Sequence, residues 1–269
     1  MGKYLNQAAS PRVLNHAWQY LRHDRGLWCR GLATPEMQRH LIQHVGELSQ
    51  QLLNGQYHPE AMNCFEIDKA DGKKRLICAA AVRDKLVQRA ILSVIEPLGE
   101  AIFHEASCGF RPKYNLDMAL AKVREWVRKG YIWLGDADIK ACFDTIPYQQ
   151  VLKRLYKMCG DKQLIAVVKD SIESMPGQFR LNGQSRGLPQ GMVLSPFLCN
   201  LHLHDLDCKL QSHHIPFVRF ADDFVLLAQN ESAANQALQL AESQLNKLGL
   251  ALNHDKTRVI RSSPHYYFR

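Results

Sequence analysis

The sequence predicts an α+β protein in which an antiparallel sheet carries helices on one face. Two observations predict this class. Short apolar segments typical of strands are mixed with helical stripes, without the regular strand–helix–strand order of parallel sheets. In addition, two apolar segments, 217–220 and 224–228, flank the acidic turn Ala221-Asp222-Asp223 and predict a hairpin that lies in the core.

Each element follows from its own pattern of apolar, capping and turn residues. The apolar stripe of 81–96 predicts a helix that ends at Pro97, and Asn115 is expected to cap the next helix. Turn residues predict hairpins around Ala70-Asp71-Gly72 and Asn182-Gly183. The predicted helices are 11–23, 35–53, 81–96, 116–128, 148–158, 161–173, 195–211 and 231–248, and the remaining predicted strands are 64–68, 73–78, 131–139 and either 251–252 or 257–260.

Composition is that of a globular protein with an excess of positive charge. The 269 residues carry 34 Lys and Arg against 26 Asp and Glu, a net charge of +8. The bases cluster between Lys69 and Arg89, which suggests a polyanionic partner, although a solvated basic face would look the same. The eight cysteines form no Cys-x-x-Cys pair, so a zinc site is not expected. With no leader and no membrane-length apolar run, we expect a cytoplasmic protein without membrane contact.

Two acidic elements could hold metal ions. The doublet Asp222-Asp223 lies at the tip of the predicted core hairpin, and Asp138 ends an apolar strand. Carboxylates brought together in this way could hold two Mg²⁺ ions about 3.5–4 Å apart and promote phosphoryl transfer. Asp also favours ordinary surface turns, so the doublet alone does not decide. For Asp136 and Asp144 we expect capping or ion pairing instead.

A third element is the glycine-rich loop 186–194, which leads into the helix that starts at Ser195-Pro196. Its two glycines allow the backbone to approach a ligand closely. A simple helix-entry loop is the structural alternative.

Taken in order, these elements resemble the motifs of group II intron-type bacterial reverse transcriptases, a lineage that includes CRISPR-associated enzymes. The similarity covers roughly residues 12–260 and departs from the family at Phe220, where the family has Tyr. The segments that carry the resemblance are Lys69–Arg75, Val82–Asp84, Cys108–Pro112, Asp138–Asp144, Leu188–Pro196, Phe220–Asp223 and Leu252–Thr257.

The resemblance implies a catalytic centre built on carboxylates. It assigns catalysis and metal binding to Asp138, Asp222 and Asp223, with the backbone carbonyl of Ile139 as a further ligand. The implied cofactor is Mg²⁺, with Mn²⁺ as an alternative. The implied partners are an RNA template, a DNA or RNA primer and dNTPs.

The resemblance also implies roles for substrate-binding residues. Phe143 is expected to lie under the sugar and exclude a 2′-hydroxyl, unless it is only a core aromatic. Arg111 is expected to support the template or the fingers, and a structural ion pair would suit it equally. Lys256 is expected to donate to the leaving pyrophosphate, and a surface lysine is the alternative. The remaining expectations are triphosphate contacts from Lys69 and Arg75, and a nucleotide and template site lined by Pro189, Gln190 and Gly191.

The implied architecture is the fingers and palm of a right-hand polymerase. Residues 1–130 would form the fingers with an N-terminal helical extension, and 131–269 the palm with its antiparallel sheet. The family continues into a helical thumb, and no such segment follows here. We therefore expect the thumb to be missing from this chain, either because the sequence is a fragment or because a fused or separate domain supplies it.

Three functions are compatible with these residues, and RNA-directed DNA polymerisation is favoured because all the metal carboxylates and Phe143 are present. A non-catalytic, maturase-like RNA-binding protein that assists splicing is the main alternative. A metal-dependent nuclease or phosphotransferase would use the same carboxylates but not the Pro189-Gln190-Gly191 loop. The biological setting stays open between intron mobility, CRISPR spacer acquisition with Cas1 and Cas2, and phage defence, with a lean toward a CRISPR-associated or other domesticated role.

Overall fold

The computed structural model describes residues 2–68, 72, 74–179 and 186–262. The helices are α1 (Lys3–Ala9), α2 (Pro11–Trp18), α3 (Thr34–Met37), α4 (Leu41–Leu53), α5 (Val82–Glu100), α6 (Leu116–Arg128), α7 (Cys142–Thr145), α8 (Tyr148–Cys159), α9 (Lys162–Glu173), α10 (Ser195–Ser212) and α11 (Glu231–Lys247). The strands are β1 (Leu27–Cys29), β2 (Leu32–Ala33), β3 (Asn63–Asp68), β4 (Lys74–Ala79), β5 (Trp133–Asp138), β6 (Phe217–Phe220), β7 (Asp223–Ala228) and β8 (Arg258–Arg261).

The chain forms two compact units, and both are discontinuous in sequence. One unit contains residues 1–101 and 148–195, and the other contains 102–147 and 196–269. These units do not coincide with the predicted division at residue 130. Because compactness does not identify fingers or palm as functional domains, that division remains a prediction.

The first unit is mostly helical and is organised around α5. Helices α1, α2, α8 and α9 pack on α5, and residues such as Leu86 and Ile91 are fully buried in it. Hydrogen bonds from Tyr4, Leu5 and Leu164 to the Asp161 carboxylate tie the start of α1 to the start of α9. The predicted hairpin is confirmed, since β3 and β4 pair antiparallel from Asn63 opposite Ala79 to Asp68 opposite Lys74.

The second unit contains a four-stranded sheet in the order β6-β7-β5-β8. Every neighbouring pair is antiparallel, as the sequence predicted. Strand β8 overlaps the later of the two segments proposed for the last strand, 257–260, and extends to Arg261. The earlier segment also contributes, because Leu252 forms an isolated antiparallel bridge with Ile139.

Helices cover both faces of this sheet, so the prediction of helices on one face was wrong. On one face, Val123 of α6 packs in a cluster with Leu134 and Val225. On the opposite face, a Cβ on Gly135 would come within 2.9 Å of the Leu238 side chain of α11. The physical reason is visible in β7, where an unbroken apolar run is buried, and burial of consecutive residues requires cover on both faces.

A second correction concerns Pro97, which does not end its helix. Helix α5 continues through Pro97 to Glu100. A proline inside a helix removes one backbone hydrogen bond. Ile95 and Gly99, on either side of it, are buried, so this end of the helix is packed into the unit. The cap predicted for the next helix is confirmed, because the Asn115 side chain accepts a hydrogen bond from the Met118 backbone at 2.9 Å.

Two predicted turns fall largely outside the described residues. The hairpin around Asn182-Gly183 lies outside them, and so do Ala70 and Asp71 of the first turn. Within the described ranges, no helix is both long enough and apolar enough to cross a membrane.

Candidate active site

The strand ends of β5 and β7 bring two predicted carboxylates together in the second unit. Asp138 lies directly opposite Asp223 in the antiparallel register. Side chains of directly opposed residues project from the same face of a sheet. Their carboxyl groups are close enough to share a hydrogen bond when one of them is protonated.

The electrostatics of this pair are those of crowded negative charge. The pKa of Asp223 is raised to about 7, first by burial and then by the negative charges of Asp222 and Asp138, while Lys256 acts in the opposite direction. A carboxylate whose ionisation is opposed by its neighbours gains by receiving a cation. The site therefore has the charge required to bind a metal ion.

Asp222 adds its charge from the hairpin turn between β6 and β7. Besides its effect on Asp223, it helps raise the pKa of the buried Cys142 thiol, after a hydrogen bond with Cys199 and burial as the larger causes. The structure thus brings Asp138 and Asp223 face to face, and Asp222 acts on Asp223 through its charge. The role of the three carboxylates as metal ligands stays a prediction.

Two residues of the segment after α11, Asn253 and Lys256, contact Asp138. The Asn253 side chain donates to Asp138 Oδ2 at 2.8 Å, and the Asn253 backbone donates to the Asp138 carbonyl at 2.8 Å. Lys256 Nζ lies 3.5 Å from the same carboxylate oxygen. Lys256 therefore lies at the site, and Asn253 is a polar partner that sequence reasoning missed although it belongs to the same motif.

Asp136 takes the structural role that was expected of it. It lies two residues before Asp138, and its carboxylate forms an ion pair with Arg258 of β8 at 3.5 Å. The ion pair neutralises this aspartate next to the cluster. Asp136 therefore adds less free negative charge to the site than its position alone would suggest.

Phe143 lies on α7, shortly after Asp138. Its ring meets that of Phe110 edge to face, with centroids 6.0 Å apart. Phe143 is half-buried and Phe110 is 48% exposed, so this aromatic pair is accessible rather than part of the core.

Arg111 is buried among backbone carbonyls and aromatic rings. Its guanidinium donates to the carbonyls of His104 and Ser107 at 2.8 Å each, and it lies 4.2 Å from the centre of the Tyr114 ring. These contacts are those of a residue that supports its own segment. The expected role in supporting the template or the fingers stays a prediction.

The predicted loop residues lie in the first unit, packed on β4. The Gln190 carbonyl accepts from the Cys78 backbone at 2.7 Å, and the Pro189 carbonyl accepts from the Ser195 hydroxyl at 2.7 Å. Gly191 has φ +111°, and a Cβ there would lie 2.6 Å from the Cys78 carbonyl oxygen. The glycine is thus required by both its conformation and its surroundings.

Of the two residues predicted to contact the triphosphate, one lies within the described part of the chain. Arg75 lies on β4, opposite Ile67, whereas Lys69 lies outside the described residues.

The described ranges contain no group of three or more His, Cys, Asp or Glu side chains that could hold a metal ion by itself. The facing carboxylates of Asp138 and Asp223 nevertheless fit Mg²⁺, which is typically bound through one or two protein carboxylates, water and substrate phosphates. Such a site takes its remaining oxygen ligands from outside the protein.

Sequence reasoning also missed the polar groups beneath the acidic turn. These are Arg219 on β6, with Asn200 and Asp207 on α10, all of them fully buried. Arg219 directly precedes the Phe220–Asp223 motif and Asn200 lies four residues after Pro196, but no local pattern indicates that they meet in space.

Comparison with known proteins places this geometry in a family. The family model described as "Reverse transcriptase (RNA-dependent DNA polymerase)" matches residues 67–267. Protein YkfC of Escherichia coli is 27% identical over 88% of this chain and 73% of its own length. The group II intron-encoded protein LtrA of Lactococcus lactis is 27% identical over 73% of this chain, and the match spans 33% of LtrA.

Two solved structures have a similar fold. A chain of the structure titled "Partial Cas6-RT-Cas1--Cas2 complex" is 26% identical, with a TM-score of 0.52 over 90% of this chain and 42% of that one. Candida tropicalis telomerase shares the fold at 15% identity and a TM-score of 0.54. Because this family model covers most of its length, the chain belongs to the reverse transcriptase family.

Proposed function

We propose that this chain is an RNA-directed DNA polymerase that adds dNTPs to a primer paired with an RNA template. The observation that carries the proposal is the register of β5 and β7, which sets the Asp138 carboxylate opposite that of Asp223. Burial, followed by the charges of Asp222 and Asp138, raises the pKa of Asp223 to about 7. Membership of the reverse transcriptase family supports the same activity.

Asp138, Asp222 and Asp223 are the proposed metal ligands, with the Ile139 carbonyl as a fourth. Mg²⁺ is the proposed ion and Mn²⁺ the alternative. When bound, such ions neutralise the transferring phosphoryl group and stabilise the attacking and leaving oxygens. The negative cluster of carboxylates supplies the charge that makes binding of these ions favourable.

Other residues of the chain would orient the reactants around this centre. Asn253 holds Asp138 in a single orientation by its 2.8 Å hydrogen bond. Lys256, 3.5 Å from Asp138, is a proposed donor to the leaving pyrophosphate, because its ammonium group lies at the edge of the carboxylate cluster.

The proposed nucleotide contacts follow the family motifs. The half-buried ring of Phe143 is proposed to select dNTPs by excluding a 2′-hydroxyl. Arg75 and Lys69 are proposed to bind the triphosphate, because cations suit phosphate oxygens. Pro189, Gln190 and Gly191 are proposed to line the nucleotide and template site, and Arg111 to support the segment that carries Phe110.

Primer extension tests the proposal. Purified full-length chain is incubated with an oligo(dT) primer on a poly(rA) template, dTTP and Mg²⁺, and then with Mn²⁺. We expect extension that requires the metal and falls at least about 100-fold in Asp222→Asn, because the lost charge acts at the reacting phosphate. The matched control is Asp117→Asn, which removes an exposed carboxylate at the start of α6 and should extend normally.

The main alternative has a distinct outcome. If the chain binds RNA with an affinity that Asp138→Asn and Asp222→Asn leave unchanged, and extends no primer with either metal, the polymerase proposal fails. A maturase-like RNA-binding function would then remain.

Partners and biological setting are also proposals. The chain spans a third of LtrA and 42% of the matched chain of the Cas6-RT-Cas1–Cas2 complex, so neither assembly transfers directly. The likeness to that complex supports Cas1- and Cas2-like proteins as partners, whereas the likeness to LtrA supports a group II intron RNA. Adjacent Cas1 and Cas2 genes that encode co-purifying proteins would support the first setting, and a flanking intron RNA would support the second.

A further inference from the structure

A buried positive charge lies directly beneath the acidic turn. Arg219 is on β6, three residues before Asp222, and its side chain is fully buried. Asn200 and Asp207 are equally buried, and their spacing of two helical turns places them on one side of α10. Buried charges are rare unless they are paired and hydrogen-bonded.

The Arg219 guanidinium is bound at all three of its nitrogens. Nε donates to Asp207 Oδ1 at 2.9 Å, and Nη2 donates to Asp207 Oδ2 at 2.6 Å, which makes a bidentate ion pair. Nη1 donates to Asn200 Oδ1 at 2.8 Å and to the Ala221 carbonyl at 2.9 Å. One side chain therefore joins α10 to the backbone of the turn.

The turn itself is in a conformation that needs support. Ala221 has φ +62°, in the left-handed region where a residue with a side chain is disfavoured. Its backbone is packed against Gly109, where a Cβ would lie 2.1 Å from the Ala221 nitrogen. The Asn200 side chain donates to the Gly109 carbonyl at 2.8 Å, so the same network holds both sides of this contact.

The backbone of Arg219 is fixed as well. Its N–H donates to the Ala106 carbonyl and its carbonyl accepts from Cys108, both at 2.8 Å. Arg219 is thus fixed through both its backbone and its side chain. The Ala221 carbonyl that its side chain binds belongs to the peptide bond that leads into Asp222.

We propose that Arg219, oriented by Asp207 and Asn200, is a positioning residue that fixes the Ala221-Asp222 turn and thereby aims the carboxylates of Asp222 and Asp223. The inference rests on the proposed polymerase function. The role requires a hydrogen-bond donor and not only a side chain of the right volume. An apolar pair of similar volume would fill the same space but could not donate to the Ala221 carbonyl.

This difference provides the test. Replacing a buried ion pair by apolar residues often leaves folding stability unchanged. The double variant Asp207→Leu/Arg219→Met should therefore fold while losing every hydrogen bond of the guanidinium. Arg219→Lys keeps the positive charge but lacks the planar fork, so it cannot hold Asp207 bidentately and reach the turn as well. Leu245→Ala, in the buried face of α11, is the control for a general loss of stability.

Each full-length variant is measured for thermal unfolding, for kcat and dNTP KM in primer extension, and for Mn²⁺ affinity by calorimetry. For the double variant we expect a kcat at least tenfold lower, a KM within about twofold of wild type, and Mn²⁺ affinity reduced at least fivefold, because small displacements of catalytic groups cost large factors in rate. For Arg219→Lys we expect a kcat and an Mn²⁺ affinity between those of wild type and those of the double variant. Leu245→Ala should lower the melting temperature with kcat and Mn²⁺ affinity near wild type.

The outcomes separate this inference from the proposed function. A folded double variant with wild-type kcat and Mn²⁺ affinity overturns the positioning role and leaves the polymerase proposal intact. If wild type binds Mn²⁺ but extends no primer, the polymerase proposal fails and Mn²⁺ affinity alone decides the positioning role. If the double variant does not fold, Arg219→Lys tests the positioning role in its place. A loss of kcat in Arg219→Lys no larger than the loss in Leu245→Ala then overturns the inference. If wild type neither binds Mn²⁺ nor extends a primer, both proposals fall.

Discussion

Removing one carboxylate from the crowded cluster should stabilise the metal-free protein. The perturbation is Asp223→Asn. Because the pKa of Asp223 is raised to about 7 from 3.8, the folded protein resists an ionisation that the unfolded chain undergoes readily. The stability that protonated Asp223 contributes to the folded state is fully present below pH 3.8, its pKa in the unfolded chain. It is lost as the pH rises through about 7, the pKa in the folded protein.

The magnitude follows from the size of that shift. A shift of roughly 3 pKa units corresponds to at most about 4 kcal/mol. Asp223 is only partly buried, so solvent screening reduces the expected effect to about 1–2 kcal/mol. The stability gained by Asp223→Asn should therefore be near zero at pH 4, grow between pH 4 and 7, and level off near pH 8.

The assay is urea unfolding with EDTA across this pH range. Asp136→Asn is the matched control, because it breaks an ion pair with Arg258 and should give no gain at pH 8. A pH-independent offset for Asp223→Asn, or a loss of stability at pH 8, would refute the reasoning. Mg²⁺ should stabilise wild type more than the variant, since ligand binding favours the folded state that binds it.

Three further predictions concern packing and selectivity. Gly109→Ala should lower the free energy of unfolding by about 1–3 kcal/mol or more, because its Cβ would meet the Ala221 backbone, and a normal urea midpoint would contradict this. Gly46→Ala, on an open face of α4, should instead raise it by roughly 0.5–1 kcal/mol. Phe143→Ala should increase rNTP incorporation relative to dNTP by about tenfold or more, measured in single-nucleotide extension; an unchanged ratio would remove Phe143 from sugar selection.

Much of the candidate site could be predicted because its residues lie in short local patterns. An apolar strand ending in Asp138 and an acidic doublet between two apolar strands indicate a hairpin and a strand end, and the structure pairs them in register. The Leu252–Thr257 motif likewise led to Lys256, which lies 3.5 Å from Asp138. In each case the signal is contained in a few consecutive residues.

What could not be predicted depends on contacts between distant parts of the chain. Asn200 reaches Gly109 across 91 positions, and Asn253 reaches Asp138 across 115. No local periodicity encodes such a pairing, and a polar residue on a helix gives no sign of the strand it will face. For the same reason, the cover on both faces of the sheet was missed.

The ordered motifs were enough to indicate the family. Hydrophobic periods and turn residues indicated most of the elements and pointed to Asp138, Asp222 and Asp223 as candidate ligands, because these signals are contained within a few residues. The folded chain was needed to show that Arg219 donates to the carbonyl of the acidic turn, that Arg258 forms an ion pair with Asp136, and that burial and neighbouring charges raise the pKa of Asp223. Each of these depends on burial and on distances through space, which exist only once the strands have paired.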